Sequence, residues 1–180
     1  MRKTVAGLFI SLDGVVESPQ DWHFPYMNDE MGAAVGVQMV ESDTTLLGRR
    51  TYEEFAAYWA QQGSDVPFAD EINGATKVVA SRSLKTADWQ NSTVLQGGLA
   101  DGVRALKQQP GKDIAITGSP TLVRALLREG LLDELRLLVH PILVGRGRRL
   151  FSEDLERQPL TLVSSATFST GVLNLIYQPA

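Results

Sequence analysis

The sequence predicts one α/β domain in three layers, in which a mixed β-sheet lies between helices on both faces. Along the first two thirds of the chain, short aliphatic or β-branched runs that end in Gly, Ser or Asp alternate with amphipathic helical patterns. The last third contains three strand patterns, the final two with no helix between them. No repeat, low-complexity tract or linker divides residues 1–180, so a single domain is expected.

The first five predicted strands are short and apolar, as buried strands are. They cover residues 4–11, 44–48, 76–81, 93–96 and 113–117. A helix is predicted over 28–41, since Asn28 suits the N-cap position and Asp29 and Glu30 complement the helix dipole in the first turn.

Two more helices are predicted in the middle of the chain. The pattern over 51–60 begins with a Thr-x-x-Glu capping box made of Thr51 and Glu54. The pattern over 99–109 ends before Pro110, which cannot continue a helix.

The best-marked helix covers 120–129, with Ser119 as the expected N-cap, Pro120 in the first position and Gly130 after the end. Three strands follow, over 134–144, 160–167 and 172–178. The last two form an antiparallel pair that closes the sheet, which makes the sheet mixed.

Composition excludes several classes of function. The chain has 17 Lys and Arg against 21 Asp and Glu, a net charge of −4 and no cysteine. Disulfides and thiolate metal sites are therefore excluded, and nucleic acids and membranes are not expected partners. With no signal peptide or long apolar run, a cytoplasmic protein with small-molecule partners is expected. His23 and His140 are far apart in the sequence and no His-Glu-x-x-His motif occurs, so no metal site is expected.

Four predicted strands end in segments that suit a ligand, because ligands of open α/β sheets lie beyond the carboxyl ends of the strands. These segments are Ser11–Gly14, Leu47–Thr51, Ala80–Ser83 and Ile116–Thr121. Three of them are rich in groups that bind anions.

The anion-binding groups differ between the three segments. Gly48–Arg50 combines close backbone approach with positive charge at a helix start, Ser81-Arg82 adds a hydroxyl and a guanidinium, and Gly118-Ser119 precedes a helix. Each has a plain alternative: a solvated arginine pair, a serine turn and an ordinary N-cap. Their convergence in a chain of negative net charge predicts a nucleotide phosphate site.

Familiar signatures of nucleotide binding and hydrolysis are absent, including Gly-x-Gly-x-x-Gly after the first strand, the P-loop and Gly-x-Ser-x-Gly. Gly145–Arg149 is either a tight basic loop or a loop that closes over a phosphate-bearing ligand. The aromatic cluster Trp22–Tyr26 is either core packing or a surface that stacks a flat heterocycle.

The ordered set of strand-end motifs resembles the dihydrofolate reductase-like superfamily, and within it the reductase domain of bifunctional riboflavin-biosynthesis enzymes. The resemblance is carried by Ser11–Gly14, Leu47–Glu53, Ile116–Leu122, Leu131–Leu135 and Pro141–Gly147. It covers nearly the whole chain, which looks like a stand-alone bacterial member. It implies an eight-stranded, mostly parallel sheet with NADPH across the strand ends.

The resemblance also implies roles for individual residues. The adenosine 2′-phosphate would lie against Gly48, Arg49, Arg50, Thr51, Ser81 and Arg82, and the pyrophosphate against Gly118, Ser119, Thr121 and Leu122. The nicotinamide would lie near Ala6 and the turn at 11–14. Candidates for substrate contacts are Ser11, Asp13, Trp22 and Tyr26.

A Trp-x-x-Pro segment before a helix is similar to dihydrofolate reductase itself, where a buried carboxylate just afterwards helps to protonate the pterin. Either Asp29 or Glu30 falls in that region, and Asp29 is the candidate catalytic acid, although both acids also suit a plain helix start. The riboflavin enzymes reduce an aminopyrimidine phosphate and carry a separate deaminase domain, for which 180 residues leave no room. The substrate therefore stays open.

The predicted function is an NADPH-dependent reductase that passes hydride to a C=N or C=O group of a small, heteroaromatic substrate. The alternative is a nucleotide-binding module on the same scaffold that does not turn over. The resemblance implies a homodimer, for which the apolar strand 134–144 offers either an interface or simply core packing.

Overall fold

A computed structural model of the protein describes residues 1–180 and contains every predicted strand and helix, with one helix more. The strands are β1 (Thr4–Ser11), β2 (Ser42–Gly48), β3 (Thr76–Ala80), β4 (Ser92–Val94), β5 (Asp113–Thr117), β6 (Glu134–His140), β7 (Leu160–Thr167) and β8 (Leu173–Pro179). The helices are α1 (Asp29–Glu41), α2 (Arg49–Trp59), α3 (Ala69–Gly74), α4 (Leu99–Gln108) and α5 (Pro120–Arg128). Two short 3₁₀ helices, Pro19–Asp21 and Phe24–Tyr26, lie between β1 and α1.

The eight strands form one mixed sheet in the order β4-β3-β2-β5-β1-β6-β8-β7. The six strands from β4 to β6 are parallel, while β8 runs antiparallel to both β6 and β7. The predicted mostly parallel sheet with an antiparallel closing pair is confirmed.

Successive side chains of the central strands pack on opposite faces of the sheet, which produces the three layers. In β2, Leu46 belongs to the largest core cluster, together with apolar residues of α4 and α5. The next residue, Leu47, packs on the other face with Tyr52 of α2 and Trp89. On that second face α1 covers β1 and β6 through a separate cluster around Met31.

The start of α1 agrees with the sequence, because Asn28 Oδ1 accepts a hydrogen bond from Met31 N at 2.9 Å. The predicted capping box of α2 is wrong. The helix begins at Arg49 with Gly48 as N-cap, so Thr51 lies inside the first turn instead of before it.

Three further differences have local causes. Ser119 occupies the N-cap position of α5, but its side chain makes no capping hydrogen bond because the backbone is left-handed there. Strand β6 ends at His140, before Pro141, which has no N–H to continue the ladder. Helix α3 was not predicted, since six residues are too few to display a helical period.

Strand β6 lies inside the sheet, which favours core packing as the interpretation of its apolar residues. It pairs with β1 on one side and β8 on the other, and its leucines at 135, 137 and 138 are buried within the chain. Core packing therefore explains the apolar residues of β6, whereas Leu143 beyond its end is exposed, and the dimer stays a prediction. None of the helices has both the length and the hydrophobicity that a membrane crossing requires.

Leu126→Ala tests the core under α5, because the Leu126 side chain is fully buried in the main cluster. We expect the free energy of unfolding, measured with urea, to fall by about 3–5 kcal/mol. The matched control is Leu143→Ala, at a leucine that is 71% exposed, which should change it by less than about 0.5 kcal/mol. Equal losses in the two variants would contradict the described core.

Candidate active site

Five parallel strands end side by side in the order β3, β2, β5, β1 and β6. Parallel strands present their carboxyl ends at one edge of a sheet, where ligands of open α/β folds bind. The four segments singled out in the sequence follow the first four of these strands, and those after β3, β2 and β5 are immediate neighbours. The structure thus brings the predicted phosphate-binding residues to one edge.

The ends of β2 and β5 approach each other closely at Gly48. A Cβ atom on Gly48 would lie 2.4 Å from Ser119 Oγ, so a larger residue would require the Ser119 side chain to shift. Gly48 is also the N-cap of α2, whose first turn contains the buried Thr51 and the exposed Arg49 and Arg50. Two arginines are therefore placed directly beside the end of β5.

The segment between β5 and α5 has a left-handed backbone, with φ of 73° at Gly118 and 55° at Ser119. Pro120 has no N–H, and the N–H groups of Thr121 and Leu122 in the first turn of α5 have no acceptor within the helix. These free donors lie at the positive end of the helix dipole. The start of α5 is suited to an anion such as a pyrophosphate.

The arginines at this edge differ in their partners. Arg49 forms an exposed salt bridge with Glu53 at 3.0 Å, and a pair of this kind contributes about 1 kcal/mol or less. Arg50 and Arg82 are exposed and form no salt bridge. Both guanidinium groups are available to a ligand phosphate.

Ser81 forms a serine turn, which the sequence analysis gives as the alternative to an anion-binding role. Its Oγ accepts hydrogen bonds from Ser83 N at 3.2 Å and Leu84 N at 3.0 Å. The turn fixes the backbone that carries Arg82 at the end of β3. The Ser81 hydroxyl lies 3.4 Å from Ser83 Oγ, so it can donate its proton to that oxygen or to a ligand oxygen.

Asp13 holds the turn after β1 against the chain that follows β6. Its carboxylate accepts hydrogen bonds from Ser11 Oγ at 2.6 Å, from Val144 N at 3.1 Å and from Gly145 N at 2.8 Å. These bonds lower the pKa of Asp13 to about 2. Because the Ser11 hydroxyl also accepts from Val15 N, both side chains serve the loop, and direct substrate contacts by Ser11 and Asp13 stay predictions.

The loop Gly145–Arg149 packs back against the residues after β1. Arg148 N donates to Glu17 Oε2 at 3.0 Å, and Arg149 Nε donates to the carbonyl oxygen of Asp13 at 3.0 Å. This arrangement agrees with a tight basic loop, the first of the two alternatives.

An aromatic ring cluster, formed by Phe9, Trp22, His23, Tyr26 and His140, lies where β1 and β6 end. The centroid of the His140 ring is 5.1 Å from that of Trp22 and 5.5 Å from that of Tyr26. Phe9 stacks on His23 at 4.6 Å. The cluster brings the predicted substrate residues Trp22 and Tyr26 together at the edge next to β1.

Sequence reasoning missed the two histidines of this cluster. It treated His23 and His140 as far apart, whereas their ring centroids are 6.2 Å apart. Burial lowers the pKa of both, and the neighbouring His140 lowers that of His23 further. The available signal was position, since His140 directly precedes Pro141 within the predicted strand 134–144 and His23 lies in the aromatic segment Trp22–Tyr26. No group of three or more His, Asp or Glu side chains is placed to hold a metal ion.

Two predicted site residues, Ala6 and Asp29, do not lie at the strand ends. Ala6 lies in the middle of β1, and its fully buried side chain belongs to the main core. Asp29 is exposed in the first turn of α1, so this position lacks the buried carboxylate that the resemblance implies. The proposed roles of Ala6 and Asp29 stay predictions.

Comparison with known families agrees with this architecture. A model of the RibD C-terminal domain matches residues 2–174. The chain belongs to the RibD C-terminal domain family. Two Bacillus subtilis (strain 168) relatives, the uncharacterized proteins YyaP and YwjB, are similar over almost their whole length. YyaP is 31% identical over 183 residues, which cover 98% of this chain and 94% of YyaP. YwjB is 29% identical over 175 residues, which cover 95% of each chain.

Solved structures share the RibD C-terminal domain fold at low sequence identity. A protein from Shewanella sp. PV-4 named for riboflavin biosynthesis has a TM-score of 0.81 at 19% identity, covering 99% of both chains. A pyrimidine reductase-like protein from Corynebacterium diphtheriae has a TM-score of 0.67 at 16% identity, covering 99% of this chain and 92% of that one. Acinetobacter baumannii RibD has a TM-score of 0.64 at 19% identity, and this chain spans 58% of its length.

The buried histidines predict a pH-dependent stability. Their pKa is lowered in the fold, so below pH about 6.5 the unfolded chain takes up protons that the folded protein resists. The free energy of unfolding should fall as the pH is lowered from 7.5 to 5.5, and His140→Phe should reduce that fall. Urea unfolding at pH 7.5 and 5.5 measures this free energy. An identical fall in the wild-type protein and in His140→Phe would contradict the lowered pKa of His140.

Proposed function

We propose that the protein is a cytoplasmic NADPH-dependent reductase that binds the dinucleotide across the ends of β3, β2 and β5. The substrate, a small heteroaromatic or carbonyl or imine compound, would lie beside β1 and β6. The observation that carries the proposal is the adjacency of three strand ends, each with anion-binding groups, next to an aromatic cluster. Membership of the RibD C-terminal domain family supports oxidoreductase chemistry in general.

The residues present fit the phosphates of NADPH. Arg50 and Arg82 are exposed cations without carboxylate partners on neighbouring strand ends, which suits the 2′-phosphate. The free N–H groups at the start of α5 suit the pyrophosphate. Gly48 allows the ends of β2 and β5 to lie close together, because a Cβ atom there would meet Ser119.

NADPH supplies the hydride when it is bound, and the chain provides binding and orientation. The hydrogen bonds of Asp13 hold the loops after β1 and β6 in one arrangement. Trp22 and His23 are buried and exclude water from the end of β6. The protein thereby supplies an aromatic surface beside the expected position of the nicotinamide.

A second candidate function is a nucleotide-binding module that does not turn over. It is favoured by one observation, the exposure of Asp29, which leaves no buried acid at the start of α1. NADPH oxidation assayed with pterins, aminopyrimidines and simple carbonyl compounds separates the two functions. Tight NADPH binding without turnover in any of these assays would favour the module.

The proposed phosphate site predicts a preference for NADPH over NADH. A bidentate arginine–phosphate contact contributes about 1.5–3 kcal/mol, so the wild-type protein should bind NADPH roughly ten- to a hundredfold more tightly. Arg50→Gln and Arg82→Gln should each reduce this preference several-fold and leave NADH affinity almost unchanged. Nicotinamide fluorescence measures all of these affinities.

The control for the arginine variants is Arg104→Gln, at an exposed arginine of α4 that pairs with Asp101. It should leave both affinities at the wild-type values. Equal binding of NADPH and NADH by the wild-type protein, or no binding of either, would sink the proposed function.

We also propose that the protein is a homodimer, with the exposed edge strand β7 as the contact. Leu162 and Val163 of this strand are 50% and 53% exposed. Light scattering should report twice the chain mass of 19.7 kDa, and Val163→Lys should shift it toward one chain mass. A wild-type mass of one chain would rule the dimer out.

A further inference from the structure

Three buried side-chain atoms have no hydrogen-bond partner, namely His23 Nδ1, His140 Nε2 and Thr170 Oγ1. All three lie around the carboxyl end of β6. His140 is the last residue of β6, His23 packs in the ring cluster, and Thr170 precedes Gly171, which lies against Pro141. Buried polar atoms in native proteins almost always have partners, so three such atoms at one strand end mark a place where a bound water or ligand supplies them.

The protonation of His140 follows from its one hydrogen bond. Its Nδ1 lies 2.8 Å from the carbonyl oxygen of Leu138, which can only accept, so Nδ1 carries the proton. Burial lowers the pKa of His140 despite the opposing effect of the Leu138 and Ile10 carbonyls, so the imidazole is neutral near pH 7. Nε2 consequently presents an unused lone pair to the ring cluster.

The segment over 18–27, which contributes Trp22, His23 and Tyr26 to the cluster, is held in place mainly by ring packing. Its hydrogen bonds are internal or reach back to the adjacent Glu17, apart from one of 3.5 Å from Tyr26 Oη to the carbonyl of Pro141. Displacing it breaks almost no hydrogen bonds with the rest of the protein. Because His140 is fully buried, a planar ligand reaches it only if this segment moves, and that movement costs ring packing rather than hydrogen bonds.

We propose that His140 is a specificity-determining residue, whose Nε2 accepts a hydrogen bond from a ring N–H or amino group of a planar nitrogen heterocycle. This inference rests on the proposed function, since it assigns substrate recognition at the reductase site. The rings of Phe9, Trp22 and Tyr26 supply flat apolar contacts to such a molecule. The second unpaired imidazole, His23, has a free Nδ1 for a further polar group of the same ring system.

The test compares two probes that differ only in their ring N–H groups. Lumazine has N–H donors, and 1,3-dimethyllumazine carries methyl groups in their place. Calorimetric titration of the NADP⁺-saturated protein should give a Kd for lumazine about tenfold lower than that for the dimethyl compound. His140→Phe, which keeps a flat ring but removes the acceptor, should reduce the preference to less than twofold.

His140→Gln restores an acceptor oxygen and should recover part of the preference for lumazine. If His140→Phe does not fold, the ¹⁵N chemical shift of His140 Nε2 in the wild-type protein gives a second readout, and it should move with lumazine but not with the dimethyl compound. A purely structural role of His140 would change the melting temperature of the variants without changing their preference between the probes.

The titration separates this inference from the proposed function. If neither NADPH nor NADP⁺ binds, the proposed function fails and the inference falls with it. If the dinucleotide binds but lumazine does not, or if His140→Phe keeps the full preference for lumazine, the role of His140 is overturned and the dinucleotide site stands.

Discussion

The ends of β2 and β5 lie in close contact where Gly48 meets Ser119. A Cβ atom on Gly48 would lie 2.4 Å from Ser119 Oγ, so any larger residue requires the Ser119 side chain to shift. This contact places the first turn of α2, with Arg49 and Arg50, on the strand end next to the free N–H groups that follow Ser119. The proposed phosphate site depends on this contact, because neither half has enough donors by itself to attract a dinucleotide to a chain of net charge −4.

The two halves of the candidate site have different electrostatic character. Around β3, β2 and β5 the groups are exposed cations and backbone donors, whereas around β1 and β6 they are aromatic rings and two neutral histidines. Near the ring cluster, the carboxylate of Asp13 has a strongly lowered pKa. Its hydrogen bonds with Ser11, Val144 and Gly145 connect the loop after β1 to the loop after β6. Such a division suits a ligand with an anionic end and a planar, uncharged end.

Local features of the fold could be predicted from the sequence, and features that depend on long-range contacts could not. The N-cap of α1 at Asn28 follows from neighbouring residues alone, whereas α2 starts two residues before the predicted capping box, at the Gly48 that lies beside Ser119. The strand ends were recognisable one by one, but their adjacency depends on a strand order that no local pattern encodes. For the same reason His23 and His140 looked unrelated until β6 and the 3₁₀ segment were placed together.

A crystal structure of the protein soaked with NADPH tests the shared strand-end site most directly. We expect the 2′-phosphate beside Arg50 and Arg82, the pyrophosphate against the N–H groups that follow Ser119, and the nicotinamide at the end of β1 beside the ring cluster. A dinucleotide bound elsewhere on the protein, or no bound dinucleotide at saturating concentration, would contradict the account.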